Sequence, residues 1–344
     1  MEGRWTRRLL TVAVALGGLV LALGTGLPLP FLFGPMLACL GAALLGAPLR
    51  GLGPVTDAAR TVLGVAVGAS VTPALVGQLP AMALSLALVP LYVGLIGLVG
   101  VPFFRRVVGF DAVTAFFAAM PGGAADMVLF GKEAGANVRA LSLIHATRVA
   151  VIVTVAPILL STLYGARLTR PLGASAASLP PSEIALMVLA AVVGWRVAKR
   201  AGLFGAAILG PLIATLPLSL AGLIHERPPR EALQAAQFLI GISIGVHYVG
   251  VTWRELTRTI GISALFMVIL AILAGVVAEA VVLLGLARPM EAFLAFAPGG
   301  QAEMTVLAIV SGAELGYVVL HHLARILLVI LGAPMVVRAF GRRG

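Results

Sequence analysis

The sequence predicts an all-α polytopic membrane protein made of two homologous repeats, and three observations carry that prediction. The 344 residues are 60% hydrophobic and only 11% charged, with a mean hydropathy of +1.10; a soluble domain with so apolar a surface would aggregate. Apolar runs of about twenty residues recur along the chain, the length that crosses a hydrocarbon core. Finally, APGGQAEM at Ala297–Met304 repeats AMPGGAADM at Ala119–Met127. At a constant offset of 177 residues, 111–158 and 288–335 share 15 identities in 48 columns, and His145, Arg148 and Pro157 fall on His322, Arg325 and Pro334.

Each half reads as six apolar segments. In the first they lie near 9–25, 31–47, 57–77, 80–104, 111–131 and 138–163. In the second they lie near 183–199, 203–222, 231–250, 258–286, 290–310 and 315–338. Backbone polar groups in lipid must be satisfied within their own segment, so these are helices. Repeat 1 is expected over 1–170 and repeat 2 over 183–344. The linker, 171–182, carries Pro171, Pro180 and Pro181 and follows Arg167 and Arg170, the composition of a loop rather than of a domain. The basic, then apolar, start could pass for a signal peptide. Glu183–Lys199 occupies the corresponding place in the second half, however, so Leu9–Gly24 is expected to be the first structural helix.

The weaker parts of the repeat also align. Gly34-Pro35 recurs as Gly210-Pro211, and Gly64 and Gly68 recur as Gly241 and Gly245. Proline kinks a helix and glycines four apart let helices approach closely, so packing is the role expected of them. The total is about 10–12 transmembrane segments: five spans per half would invert the second repeat, and six would keep it parallel. The connections near 25–30 and 78–80 lack Lys and Arg, whereas their counterparts hold Arg196, Lys199, Arg200, Arg254 and Arg258. That reversal of loop charge favours inverted repeats. The connection near 105–110 does not reverse cleanly.

The chemistry is expected at the duplicated motif. Pro121, Gly122 and Gly123, and their counterparts Pro298, Gly299 and Gly300, interrupt apolar segments. Proline lacks an N–H, and glycine tolerates unusual backbone angles. A helix should therefore break there and restart, one broken helix per repeat. At membrane depth such backbone is tolerated only inside protein or against a wet cavity, and broken helices of this kind form ion and substrate sites in secondary transporters. Asp126 and Glu303 fall in the first turn of each restarted helix. They are either helix-capping carboxylates or intramembrane functional groups. His145 and Arg148 share a helix face three residues apart, as do His322 and Arg325. A buried Arg needs a partner, and the acidic residue of the same copy is the one expected: Asp126 for Arg148, Glu303 for Arg325. Such a pair is either structural or opens to bind substrate, with the histidine titrating near neutral pH. Gln301 and Thr305 replace Ala124 and Val128, and His321 precedes His322, which makes the second site the more polar.

Composition excludes several alternatives. The net charge is +11, but the basic residues sit between apolar runs, as cytoplasmic loops against anionic headgroups do; nucleic acid is not an expected partner. Cys39 is the only cysteine, which excludes an internal disulfide and a cysteine-rich metal site. There is no Walker A loop, GxSxG elbow or HExxH helix. The histidines 145, 225, 247, 321 and 322 show no metal-ligand spacing. No cofactor, no metal and no enzymatic activity are expected.

The duplicated PGG-x-A-[DE]-M motif, the LFGPML stretch at Leu32–Leu37 and the overall size resemble the AbrB-type membrane protein family, over nearly the whole chain. That family is recognised by an internal membrane duplication. Its members carry labels such as ammonia monooxygenase or transcriptional regulator, and it is distinct from the small soluble DNA-binding proteins of the same name. The sequence offers neither the metal-ligand spacing of a monooxygenase nor a DNA-binding module. Broken helices in a duplicated unit are also similar, by architecture alone, to cation/proton antiporters and bile-acid-type symporters. The resulting expectation is a multi-pass protein of the bacterial inner (plasma) membrane. It would be a secondary transporter of a small molecule or ion, with an anionic group suggested by the buried arginines, and it could form a homodimer. The alternatives are a membrane sensor affecting gene expression and, a distant third, a membrane oxygenase.

Overall fold

The computed structural model describes the backbone of all residues but 1, 28, 123, 167, 169–172, 204 and 342–344. The side chains of 2, 3, 74, 75, 78, 124–126, 129, 253, 254, 256, 302, 330, 331 and 333–341 also lie outside the described set. Every regular element among the described residues is helical. The chain divides into two compact units, each drawn from both halves of the sequence: Met1–Val76 with Arg167–Leu256, and Gly77–Ala166 with Thr257–Gly344.

The first unit holds α1 (Glu2–Gly24), α2 (Pro30–Leu44), α3 (Pro54–Ala69), α8 (Pro181–Arg200), α9 (Ala206–Leu220) and α10 (Arg230–Gly245). Its close contacts run through the glycines singled out above. Gly18 of α1 rests on the Gly34 carbonyl of α2, and Gly194 of α8 rests on Gly210 of α9 in the same way. The other pairs cross between the halves of the sequence. Gly64 and Gly68 of α3 lie against Ile208, Leu212 and Thr215 of α9, while Gly241 and Gly245 of α10 lie against Leu32, Met36 and Cys39 of α2. A Cβ at any of these glycines would press into main chain, so the small residue is what allows the helix axes to approach.

The second unit holds α4 (Pro73–Phe103) and α11 (Trp253–Leu283), apart from their first turns, and two sets of three helices. One set is α5 (Ala112–Ala119), α6 (Ala124–Glu133) and α7 (Val138–Leu163). The other is α12 (Pro289–Phe296), α13 (Gln301–Ser311) and α14 (Leu315–Gly341). The sets interlock, α13 packing on α7 and α14 on α5. Aromatic rings pin the long helices to them: Tyr92 of α4 meets Phe296 edge-on at 5.6 Å, and Phe266 of α11 stacks on Phe103 at 5.4 Å.

Among the described residues five helices are long and apolar enough to cross a membrane: Arg4–Gly24, Leu79–Val108, Val138–Leu163, Pro181–Arg200 and Thr257–Leu283. Pro30–Leu44, Ala206–Leu220 and Leu315–Val329 are apolar but shorter. The polarity is that of a protein solvated by lipid. Leu9, Leu21, Leu98 and Val276 point outward, more than 60% exposed, while Arg148 and Arg325 are each 2% exposed. In water that arrangement would lose the hydrophobic term and bury charge at the same time.

Candidate functional site

The site begins with two prolines. A residue that precedes proline is pushed out of the α region, and Met120 and Ala297 accordingly take ψ values of 136° and 137°. Helices α5 and α12 stop one residue earlier. Their last carbonyls have no partner further along the chain, and the chain restarts as α6 and α13.

Each freed set of carbonyls is taken up by a histidine and an arginine one turn apart on a neighbouring helix. In the first set, His145 Nε2 lies 3.0 Å from Phe117 O. Arg148 donates from Nη1 to Met120 O at 2.9 Å and from Nη2 to Gly122 O at 3.0 Å. In the second, His322 Nε2 lies 2.9 Å from Leu294 O. Arg325 donates from Nη1 to Ala297 O at 2.8 Å and from Nη2 to Gly299 O at 2.7 Å. All six partners stand at the 177-residue offset. The planar guanidinium suits this work, because its two end nitrogens reach two carbonyls either side of the proline at once.

The glycines of the motif have distinct tasks. A Cβ on Gly122 would run into the Met127 side chain, and one on Gly299 would run into Met304. Both methionines are wholly buried. The first glycine and the methionine five residues on are therefore one packing unit. Gly300 is the N-cap of α13, and the carboxylate of Glu303 folds back over it, where a Cβ would clash. Glu303 thus lies in the first turn of α13, with its carboxylate beside the glycine that precedes the helix. Gly123, and the side chain of Asp126, lie outside the described residues.

The end nitrogens of Arg325 do not go to the expected carboxylate of Glu303. Arg325 spends its end nitrogens on carbonyls, and Nη2 also meets His322 Nδ1 at 2.9 Å. The carboxylate of Glu303 lies within electrostatic reach of Arg148, the arginine of the other copy. Carbonyls likewise take both end nitrogens of Arg148. The ring of His322 has both nitrogens engaged. Because Arg325 donates to Nδ1 of His322, Nε2 carries the proton toward Leu294 O; this ring holds backbone and guanidinium in place. Thr305 Oγ1 is bound to Gln301 O at 2.8 Å within its own helix.

Several groups come together that the sequence did not link. Arg148 lies within electrostatic reach of Arg325 as well as of Tyr92 and Glu303. Tyr92, fully buried on α4, donates to Phe296 O at 2.8 Å. Its signal in the sequence was weak: a lone tyrosine in an apolar run, opposite a helix end that needs donors. Three buried N–H donors of this unit, Arg148 Nε, Arg325 Nε and Gln301 Nε2, have no hydrogen-bond partner. Unpaired buried donors are costly, and two of these belong to charged groups.

The fold and these breaks define a class: an all-helical protein of membrane character in which two arginine-clasped helix interruptions meet inside one unit. The chain belongs to the AbrB family, whose model, described as "Transition state regulatory protein AbrB", matches residues 31–341. It is similar to an Escherichia coli (strain K12) protein named "Putative regulator AbrB", 27% identical over 328 residues that cover 92% of this chain and 91% of the relative. It is also similar to a Bacillus subtilis (strain 168) protein, "Uncharacterized protein YhjN", 26% identical over 65% of this chain and 62% of the relative.

Proposed function

We propose that the protein is a secondary transporter of a small anionic molecule, working at the inner membrane. Its site lies between the two helix interruptions, near the bilayer midplane. One observation carries this reading: three buried N–H donors without acceptors, two of them on arginines, at two interruptions that match residue for residue. Two guanidinium charges within reach of one another, with one described carboxylate beside them, favour an anion such as a carboxylate over a cation. The repeats are 1–170 and 183–344, joined by 171–182. The matching hydrogen bonds and the reciprocal glycine contacts support the duplication, and the loop charges support inversion. In this reading α5–α6 and α12–α13 are broken helices, each pair counted as one span, which together with the long and short apolar helices gives about ten. The bilayer is the solvent. No nucleic acid, cofactor or catalytic step is invoked, and a homodimer is compatible with the exposed apolar faces.

Charge movement in proteoliposomes on a solid-supported membrane, with a panel of small organic acids, tests the reading. A substrate-dependent current that Glu303→Gln abolishes without unfolding the protein is the expected result. Ligand-induced thermal stabilisation without current would replace transport by sensing, the alternative that the name of the Escherichia coli relative suggests. Among the described residues no group of three His, Cys, Asp or Glu is placed to hold a metal; stoichiometric copper or iron in the purified protein would favour the oxygenase reading instead.

A further inference from the structure

One buried titratable group of this unit takes no part in the clasps. His321 of α14, 1% exposed, lies against Ser85 of α4, which is fully buried. Nδ1 of the ring stands 2.8 Å from Tyr317 O; a carbonyl only accepts, so Nδ1 carries a hydrogen and donates it. Nε2 stands 3.0 Å from Ser85 Oγ, and Ser85 Oγ stands 2.9 Å from Met82 O. The serine has one hydrogen and two acceptors for it. Beside a neutral ring Ser85 donates to the lone pair of Nε2. Beside an imidazolium Nε2 donates to Ser85 Oγ, and the serine hydrogen turns to Met82 O. Both N–H groups and the hydroxyl hydrogen are thus paired in either state with the heavy atoms where they stand. A proton is taken up at Nε2 by the rotation of one hydroxyl.

The first copy builds its clasp without such a ring. At the 177-residue offset it has Ile144, buried like His321, beside the same histidine and arginine bonds to carbonyls. The surroundings place the added ring between solvent and the arginines. Phe296 of α12 meets it edge-on at 5.5 Å, and the Tyr317 ring lies 4.1 Å away. Along its own helix His322 lies within its electrostatic reach and bonds Arg325. Phe296 also meets Tyr92 of α4, which lies within reach of both guanidinium groups. One aromatic layer therefore separates His321 from the arginine pair. On the opposite side a cavity of about 400 Å³ comes within one helical turn of Ser85 and His321, through Met82 and Tyr317, and brings Arg288, Glu291 and Glu314 to that end. Among the described residues the ring itself is in no ion pair.

We propose that His321, with Ser85, is a proton-binding site, and that its proton travels with the anion. The coupling rests on the transport reading; the proton site does not. An anion held between Arg148 and Arg325 supplies the negative charge that a protonated His321 lacks among its neighbours. Anion and proton then each favour the binding of the other, by linkage, and anion binding strengthens as the pH falls. The proton adds to the Nε2 lone pair and leaves from it, and no other bond is made or broken.

Nitrogen-15 NMR of the full chain in detergent, with labelled histidine, reads the ring without any flux. His321→Ile, which installs the residue of the first copy, identifies its signals; if that variant fails to fold, the signals that Ser85→Ala displaces identify them. Reversible protonation of Nε2 between about pH 8 and about pH 4 is expected, with the midpoint moved to lower pH in Ser85→Ala, since the imidazolium loses its acceptor. A ring that stays neutral throughout, or a midpoint that Ser85→Ala leaves unchanged, overturns the proton site. The coupling is read in proteoliposomes with an enclosed pH dye, under gradients of succinate and of gluconate, anions too polar to cross a bilayer unaided. Anion-driven proton uptake that falls tenfold or more in His321→Ile, or in Ser85→Ala where the former does not fold, is expected. Equal uptake, or anion entry without protons, overturns the coupling. If neither anion enters and none of the wider acid panel gives a current, the transport reading has failed and takes the coupling with it, while the NMR titration still decides the proton site.

Discussion

The two arginine clasps use the same backbone atoms but are supported differently. Around Arg148 the supports are a capping carboxylate and uncharged hydrogen bonds. Asp111 caps α5 through the Val113 and Thr114 N–H groups, Thr114 takes up Asn137, and Nδ1 of His145 is left without a partner. Around Arg325 the histidine closes onto the arginine itself, and the cap of α12 is Arg288, with no side-chain cap bond but an ion pair to Glu291. The clasp is therefore what the fold requires, and the surroundings are free to diverge. The second copy has one more bond at its centre and an ion pair, Arg288 with Glu291, beside it; the first has the Asp111 cap and the Thr114–Asn137 bond.

The sharpest way to break that comparison is to remove each arginine in turn. Arg325→Met strands two buried carbonyls and a histidine nitrogen, and should lower stability by on the order of 3 kcal/mol. Arg148→Met strands one group fewer and should cost about 1 kcal/mol less. Thermal melting of the two purified variants in detergent compares them, and equal losses would remove the asymmetry. A smaller effect tests the glycine–methionine unit. Gly299→Ala should cost about 1 kcal/mol by overpacking against Met304, and Gly299→Ala with Met304→Ala should lose less than the sum of the two single changes. Strict additivity would mean that the glycine serves the backbone alone. The smallest effect is at the cap. Asp111→Ala should cost about 1 kcal/mol or less, read as a shift in melting temperature.

The cap also gives a pH dependence confined to the first clasp. Burial raises the Asp111 carboxyl, but the hydrogen bonds from Thr114 and Val113 outweigh it, and the value lies below the ordinary 3.8. A depressed carboxyl contributes stability that is fully present above its unfolded value and is lost as the pH falls through the folded one. Acid below about pH 4 should thus loosen the start of α5, and Asp111→Asn should remove that dependence. Hydrogen exchange of the Val113 and Thr114 amides at pH 5 and pH 3 measures it.

Much of this was legible because it rests on local rules. A proline followed by two glycines ends a helix whatever surrounds it, and His and Arg three apart share a face. The carbonyl partners of the arginines were missed because charges were counted and carbonyls were not. The helix ends at Met120 and Ala297 are the source of the acceptors, since a helix end leaves its last C=O groups bare. The place of Glu303 in the first turn of α13 was readable from the glycines that precede it. What no local rule carries is which segments share a core. The packing of α3 on α9 and of α10 on α2 depends on surfaces far apart in the chain. His321 was legible only as a difference, a histidine where the other copy has Ile144.

The crossed glycine contacts of the first unit set a timetable for biogenesis. Ser219 bonds to Ala69 O across 150 residues, and the faces of α2 and α3 find their partners only on α10 and α9. At about 5–20 residues per second, the early helices wait on the order of ten seconds or more beside the ribosome before a mate emerges. During that interval their glycine stripes lie open to lipid and to insertion chaperones, and a chain halted midway has nothing to close them.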